Sequence, residues 1–169
     1  KLLALEYYYK ACQLEQQEGD TKTEQWQHLN RAVKYDAENA DVLIALYRVS
    51  EGNETQRKQA LTFIERRCRQ VEQEIESNPD NFNSYNEWAW LVGNTEGDYE
   101  KAIRYSHQSI KLLDDPEQDG GLLDTLARCY FSAGDLENAL KYQTEAVEKM
   151  PHARGVHRQL EEFQQAARN

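Results

Sequence analysis

Four glycine-centred turns divide the 169-residue chain into stretches with helical periodicity. They contain Gly19, Gly52, Gly97 and Gly134, each followed directly by Asp or Asn, at spacings of 33, 45 and 37 residues. Glycine ends a helix in a left-handed conformation that other residues rarely adopt, and Asp or Asn can cap the helix that follows. Each turn therefore predicts a helical hairpin, and repetition with a period of about 20–50 residues is typical of a solenoid.

The last two hairpins repeat each other closely. The segment from Gly97 to Tyr105 aligns with the segment from Gly134 to Tyr142 at an offset of 37 residues. Small and apolar residues recur around the second segment at Leu123, Leu126, Ala127, Tyr130, Ala139, Ala146 and Pro151. This pattern resembles the tetratricopeptide repeat (TPR), which reads W-x2-L-G-x2-Y…A-x3-F…P over about 34 residues.

The resemblance implies an all-α fold, an α-α superhelix of the TPR solenoid type with a right-handed twist. We expect a single TPR-like helical repeat domain with four hairpins and one C-terminal capping helix. The hairpins are predicted at about 1–37, 39–78, 81–114 and 119–150, and the capping helix at about 152–168. The match is strong in the fourth hairpin, good in the third, and weaker in the first two. Ser106 and Gln143 stand near the places where the repeat has an aromatic residue.

Both ends of the chain add an expectation. The final segment carries apolar residues at helical spacing and polar residues on its other faces, as the end of a solenoid requires. The apolar residues are Val156, Leu160, Phe163 and Ala167. Because Lys1 begins directly inside an apolar-periodic stretch, we expect the chain to be part of a longer polypeptide.

The second half of the second hairpin is unusually long for this type of repeat. Its apolar residues alternate spacings of three and four, as in a coiled-coil stripe. They are Leu61, Ile64, Cys68, Val71 and Ile75. Two interpretations remain open, namely an elongated helix packed along its neighbours and an exposed stripe that recruits another helix.

Charge and composition exclude several partners. A formal net charge of −10 argues against nucleic acid or an anionic membrane, since both require a basic surface. No apolar run approaches the roughly 18 residues of a membrane span. Cys12, Cys68 and Cys129 lack disulfide or metal-site spacing, which favours a reducing, cytoplasmic compartment, with an exported parent chain as the alternative.

The sequence contains no motif for catalysis, and we expect no enzymatic activity, cofactor or metal. There is no H-E-x-x-H, G-x-S-x-G or glycine-rich phosphate loop. The acidic segment from Asp114 to Asp119 is similar to a calcium loop only in part. The place of the bidentate glutamate in an EF-hand holds Leu126, so we interpret the segment as a helix connector.

The TPR resemblance also implies a binding face. In that family, the first helix of each hairpin lines a concave groove that holds a peptide or a partner helix. The matching places here are Asn86, Trp90, Asp124, Arg128 and Phe131, and more loosely Tyr9 and Gln13. Trp and Arg dominate the energetics of many interfaces. The alternative is that Trp90 belongs to the core and Arg128 is a solvated charge. These residue types differ from the family's clamp for C-terminal carboxylates, which argues against that ligand.

Two functions follow from these residues. The first is a protein–protein interaction module that binds a peptide or partner helix of unknown identity on its concave face. The second is a structural spacer that positions other domains of a longer polypeptide, in which case its partners are segments of its own chain. The aromatic and cationic groove places favour the first, whereas the apolar N-terminus favours the second.

Overall fold

In a computed structural model of the chain, residues 1–113 and 119–168 are described, and these ranges contain nine α-helices and no β-strand. The predicted all-α class is therefore confirmed. The helices are α1 (Leu2–Glu15), α2 (Lys22–Tyr35), α3 (Ala40–Val49), α4 (Glu54–Ser77), α5 (Phe82–Gly93), α6 (Tyr99–Leu112), α7 (Gly120–Ser132), α8 (Leu136–Lys149) and α9 (Arg154–Ala166). The predicted connector at Asp114–Asp119 lies, except for Asp119, outside the described residues.

The chain divides into two compact units, Lys1–Gln70 and Val71–Asn169. In the first unit, α1 packs against α2 and α2 against α3. Apolar side chains from all four helices of this unit are fully buried, among them Ala4, Leu29, Leu43 and Ile64. The single domain expected from the sequence stays a prediction.

The second unit contains the two hairpins that the sequence matches best. Helix α5 packs against α6, and α7 packs against α8, while α7 also contacts α5 and α6 and α9 contacts α8. Its buried residues include Leu91, Ala102, Leu126, Ala139 and Phe163. The small residues Ala127 of α7 and Ala139 of α8 share one hydrophobic cluster with Phe163 of α9.

The four turn glycines behave as the sequence predicts. Gly19, Gly52, Gly97 and Gly134 have φ values of 106°, 84°, 155° and 83°, and they are the residues with positive φ within the described ranges. The aspartates after the last two glycines cap the next helices. Asp98 accepts a hydrogen bond from the backbone N–H of Lys101 at 2.8 Å, and Asp135 accepts one from that of Asn138 at 3.1 Å.

The long helix α4 buries a stripe close to the predicted one. Ile64, Val71 and Ile75 are buried, as are Ala60 and Arg67. Leu61 and Cys68, which the spacing also placed in the stripe, are half-buried. This burial favours the interpretation of an elongated helix packed along its neighbours, because the stripe is not left open to recruit another helix.

Candidate partner-binding site

Helix α5 presents Asn86 and Trp90 on the face opposite its buried side. Residues Ser84, Trp88, Ala89, Leu91 and Val92 are buried. Asn86 and Trp90 are half-buried and, being four residues apart, are neighbours on the helix surface. Trp90 is therefore neither an ordinary core residue nor a fully exposed one.

The side-chain oxygen of Asn86 is one of several buried polar atoms of the described residues without a hydrogen-bond partner. It is buried, and no group in the described part of the chain donates a hydrogen bond to it. Buried polar atoms are nearly always paired in folded proteins, so an unpaired one requires an explanation. At this position, the amide of Asn86 lies one helical turn from Trp90.

Helices α5 and α7 approach each other closely at their C-terminal halves. The Cys129 thiol lies 3.4 Å from the Ala89 carbonyl oxygen, to which it donates. The Ser132 hydroxyl donates to the Gly93 carbonyl oxygen at 2.6 Å. A Cβ on Gly93 would lie only 3.0 Å from the Cys129 sulfur, so glycine permits this approach. The contact places Arg128 of α7 beside Gly93, where an added Cβ would lie 3.5 Å from Arg128 Cγ.

On α7, the candidate residue Arg128 is engaged by α9. Its Nη1 and Nη2 donate to Oε1 and Oε2 of Glu162 at 2.8 and 2.7 Å. Its Nε donates to Gln159 Oε1 at 2.9 Å. Arg128 is 8% exposed, so it is not the solvated charge that the sequence left open as an alternative. The carboxylate that it binds comes from its own chain.

Asp124 lies in the same polar network. The Gln143 amide donates to Asp124 Oδ1 at 2.7 Å and to the Val156 carbonyl oxygen at 2.9 Å. The Gln159 amide donates to Asp124 Oδ1 at 3.1 Å and to Gln143 Oε1 at 2.9 Å. Burial raises the pKa of Asp124, while the Gln143 hydrogen bond and the Arg128 charge act in the opposite direction. The network joins α7, α8 and α9.

Phe131, one turn beyond Arg128, completes the contact with α9. Its ring stacks on Phe163 with centroids 4.3 Å apart and planes inclined by 11°. The Arg128 guanidinium lies 4.9 Å from the Phe163 ring centroid, as in a cation–π contact. Asp124, Arg128 and Phe131 thus lie together beneath α9, and their assignment to partner binding stays a prediction.

Tyr9 and Gln13 belong to the other unit and are exposed on α1. Their side chains lie four residues apart, and Tyr9 is 59% exposed. The ring of Tyr9 contacts Tyr8 with a centroid distance of 5.8 Å. Their role in partner binding also stays a prediction.

Sequence reasoning did not predict which residues cover the α7 face. They are Gln143, Gln159, Glu162 and Phe163. One signal was present. Gln143 stands near a place where the TPR pattern has an aromatic residue, and it is completely buried. A buried glutamine in place of an apolar ring indicates a polar partner on a neighbouring helix, and here the partners are Asp124 and α9.

Two further features are absent from the described residues. In residues 1–113 and 119–168, no three His, Cys, Asp or Glu side chains are grouped so that they could hold a metal ion. Over the same ranges, no helix combines the length and apolar character that crossing a membrane requires.

No family model matches the chain. Over 61 residues it is 36% identical to the photosystem I assembly protein Ycf3 of Prochlorococcus marinus strain NATL1A, and 34% identical to that of strain NATL2A. Each match covers 36% of this chain and 35% of the relative. The chain therefore spans about a third of the length of the curated relatives that it matches.

Solved structures are similar over a longer range. A thermophilic TPR protein of Thermus thermophilus, TTC0263, has a TM-score of 0.51 and 17% identity, covering 95% of this chain and 98% of that one. The MamA protein has a TM-score of 0.42 and 20% identity, covering 76% of this chain and 63% of that one. The resemblance read from the sequence is confirmed at the level of the fold, and the chain has the fold of a tetratricopeptide-repeat protein.

Proposed function

We propose that the chain is a protein-interaction module, and that the α5 face around Asn86 and Trp90 binds an extended segment of a partner polypeptide. The observation that carries the proposal is the buried Asn86 oxygen without a donor. An unpaired buried acceptor costs about 1–3 kcal/mol of stability. When the half-buried Asn86 side chain turns outward, a backbone N–H of a bound peptide supplies the missing donor, and the amide nitrogen of Asn86 can donate to a peptide carbonyl in return.

Trp90 provides the apolar part of this site. Its ring lies one helical turn from Asn86 and is half-buried, so the ring is partly fixed by the protein before a partner arrives. An ordered aromatic ring offers a large contact area at a small cost in side-chain entropy. An amide that reads the peptide backbone, next to a ring that packs on one side chain, suits an extended segment with an apolar anchor.

The charge of the chain bears on which partner it prefers. With a net charge of −10, the surface attracts polypeptides that carry positive charge and repels acidic ones. We expect a basic partner to associate faster, and this advantage to fall as salt is added. The partner is a protein or peptide, since neither nucleic acid nor an anionic membrane fits this charge.

The curated relatives give independent support. The Ycf3 proteins are named for the assembly of photosystem I, a role that involves other polypeptides. The likeness covers 61 residues, so it supports binding of a polypeptide as a class and names no partner for this chain.

A spacer that positions other domains is the second candidate, and one observation favours it. The α7 residues Asp124, Arg128 and Phe131 are used to hold α9 of the same chain. A module whose polar side chains are satisfied internally is suited to keeping a fixed shape. The two candidates differ in whether the α5 face binds anything.

The test uses a display library of random extended peptides screened against the purified chain. We expect the wild type to enrich peptides, and Asn86→Leu to lose them while its free energy of unfolding stays equal or rises by about 1 kcal/mol, since an unpaired acceptor is removed. Gln165→Leu, which replaces an exposed amide on α9, is the matched control and should keep binding.

Trp90 is tested in the same assay with two variants. Trp90→Ala should lose the enriched peptides, whereas Trp90→Phe should retain part of the affinity because it keeps a ring. If the wild type enriches no peptide, or if Asn86→Leu lowers stability and leaves binding intact, the interaction module is wrong and the spacer takes its place.

A further inference from the structure

The exposed large apolar side chains of the described residues are concentrated in one place. All five lie on α1 or at the end of α2, its packing partner. They are Leu2, Leu3, Leu5, Tyr9 and Tyr35. Leu2, the second residue of the sequence, is 86% exposed. Exposed apolar side chains that group on one helix mark a surface that another molecule can cover.

The arrangement on α1 identifies the kind of surface. Leu2, Leu5 and Tyr9 follow spacings of three and four, so they form a stripe along one side of the helix. The buried residues Ala4 and Ala11 lie on the opposite side, against α2. A stripe with this spacing on a straight helix fits another helix, because side chains at these positions interlock with those of a helical neighbour.

The charges beside the stripe indicate which helix covers it. Glu6 and Lys10 lie on the same flank, one turn apart, and are paired with each other at 2.6 Å. A flank with one acid followed by one base is complementary to itself when a second copy is turned by two-fold rotation. We propose that the stripe is the interface of a symmetric homodimer in which two α1 helices pack antiparallel.

The register follows from the positions of the residues. If Leu5 of one copy packs against Tyr9 of the second copy, the two-fold axis passes near residue 7. Glu6 is then displaced from Lys10 of the second copy by two residues along the helix, about 3 Å at the rise of an α-helix. Both long side chains cover that distance, so two ion pairs form across the interface in place of the one within each helix.

Further apolar side chains lie on the other side of the charged flank. Tyr35 at the end of α2 stacks on Tyr7 of α1, with centroids 5.9 Å apart and planes inclined by 4°. Leu3 lies one turn before Tyr7 on the same helix. These groups form a second apolar surface on the far side of the Glu6–Lys10 flank, where Lys10 Nζ lies 5.3 Å from the Tyr7 ring centroid. The inference does not rest on the proposed peptide site, which belongs to the other unit.

The first experiment measures the mass of the 169-residue chain by sedimentation over a range of concentrations. We expect a dimer that dissociates on dilution. Tyr9→Glu should raise the dissociation constant about tenfold or more, because it places two charges in the apolar stripe. Gln27→Glu adds the same charge at an exposed position of α2 and is the control that should leave the mass unchanged. Circular dichroism checks that both variants keep their helices.

The second experiment tests the antiparallel orientation. Glu6→Lys and Lys10→Glu each leave a flank of one sign, so each single variant should dimerise more weakly than the wild type. The double variant with both changes again has one acid and one base, so it should dimerise like the wild type and should not mix with it. A parallel arrangement predicts a different result, because the flank with Glu6 and Lys10 would then face the opposite flank of the second copy, and the double variant would mix freely with the wild type.

Three results would overturn the homodimer. A chain that stays monomeric at every concentration shows that a different molecule covers the stripe. A dimer whose dissociation constant is unaffected by Tyr9→Glu uses another surface. A double charge variant that mixes freely with the wild type removes the proposed antiparallel register.

Discussion

The guanidinium of Arg128 on α7 forms a two-point ion pair with the carboxylate of Glu162 on α9, with distances of 2.8 and 2.7 Å. The arginine is buried, while the glutamate side chain is 49% exposed. This difference makes the two residues unequal. Removing Glu162 leaves an arginine that still bonds to Gln159, whereas removing Arg128 leaves Gln159 Oε1 without its donor and a cavity between two helices.

We therefore expect Arg128→Ala to lower the free energy of unfolding by about 2–3 kcal/mol and Glu162→Ala by about 1 kcal/mol, the smaller value because solvent screens the exposed carboxylate. Urea denaturation measures both. Glu161→Ala, at an exposed neighbouring position of α9, is the control and should stay within about 0.5 kcal/mol. Equal effects from all three changes would mean that the ion pair does not hold α9.

Gly93 and Gly121 form a matched pair of helical glycines. An added Cβ at Gly93 would lie 3.0 Å from the Cys129 sulfur and 3.5 Å from Arg128 Cγ, while one at Gly121 meets nothing within 4 Å. We expect Gly93→Ala to destabilise the protein by about 1–3 kcal/mol through overpacking. Gly121→Ala should stabilise it by up to about 1 kcal/mol, because alanine favours the helix. Thermal melts that shift in the same direction for both variants would contradict the close approach of α5 and α7.

Ala139 is completely buried in the cluster that contains Ala127 and Phe163. Ala139→Leu adds volume where two helices cross, and should cost about 1–3 kcal/mol in a urea melt. Glu137→Ala, two residues earlier and exposed, should change the free energy of unfolding by no more than about 0.5 kcal/mol. A similar loss from both would show that the helix crossing lies elsewhere.

Burial raises the pKa of the Cys129 thiol from 9.0 to about 12. Between these values the unfolded chain loses the proton and the folded one keeps it, so stability falls as pH rises above about 9. We expect Cys129 to react with a thiol reagent at pH 8 only after denaturation, as mass spectrometry of labelled peptides can show. Cys129→Ser removes this contribution to the pH dependence; rapid labelling of native Cys129 would contradict its burial.

The sequence arranges no ligand set for a metal and no cysteine pair. We therefore expect the melting temperature to be unchanged by EDTA or by dithiothreitol. Differential scanning calorimetry with and without each reagent measures this. A lower melting temperature with either reagent would reveal a bound metal or a disulfide.

The sequence was sufficient to predict the helices because a few adjacent residues determine where each helix ends. Glycine at positive φ and a following aspartate determine where one helix stops and the next begins, as at Gly134 and Asp135. These effects depend on a few adjacent residues. The helix ends could therefore be located without knowledge of which helices touch.

The covering of the α7 face was beyond sequence reasoning. The sequence predicts only that the last helix has polar outer faces, whereas Glu162 on that helix pairs with Arg128, 34 residues earlier in the chain. Its role depends on the rotation of α9 relative to α7, which packing of three helices decides. The unpaired Asn86 oxygen is equally invisible in a sequence, since burial of one atom depends on all of its neighbours.

The Gln143 amide, which bonds to Asp124 of α7 and to the Val156 carbonyl of α9 from its place on α8, has a consequence for cooperativity. Terminal elements of repeat proteins generally open first, since they contact only one neighbour. Here, opening α9 alone would strand the buried amide and break its bond to Gln159 as well. Hydrogen exchange should therefore find that α7, α8 and α9 open as one unit, with slow exchange reaching to the last helix.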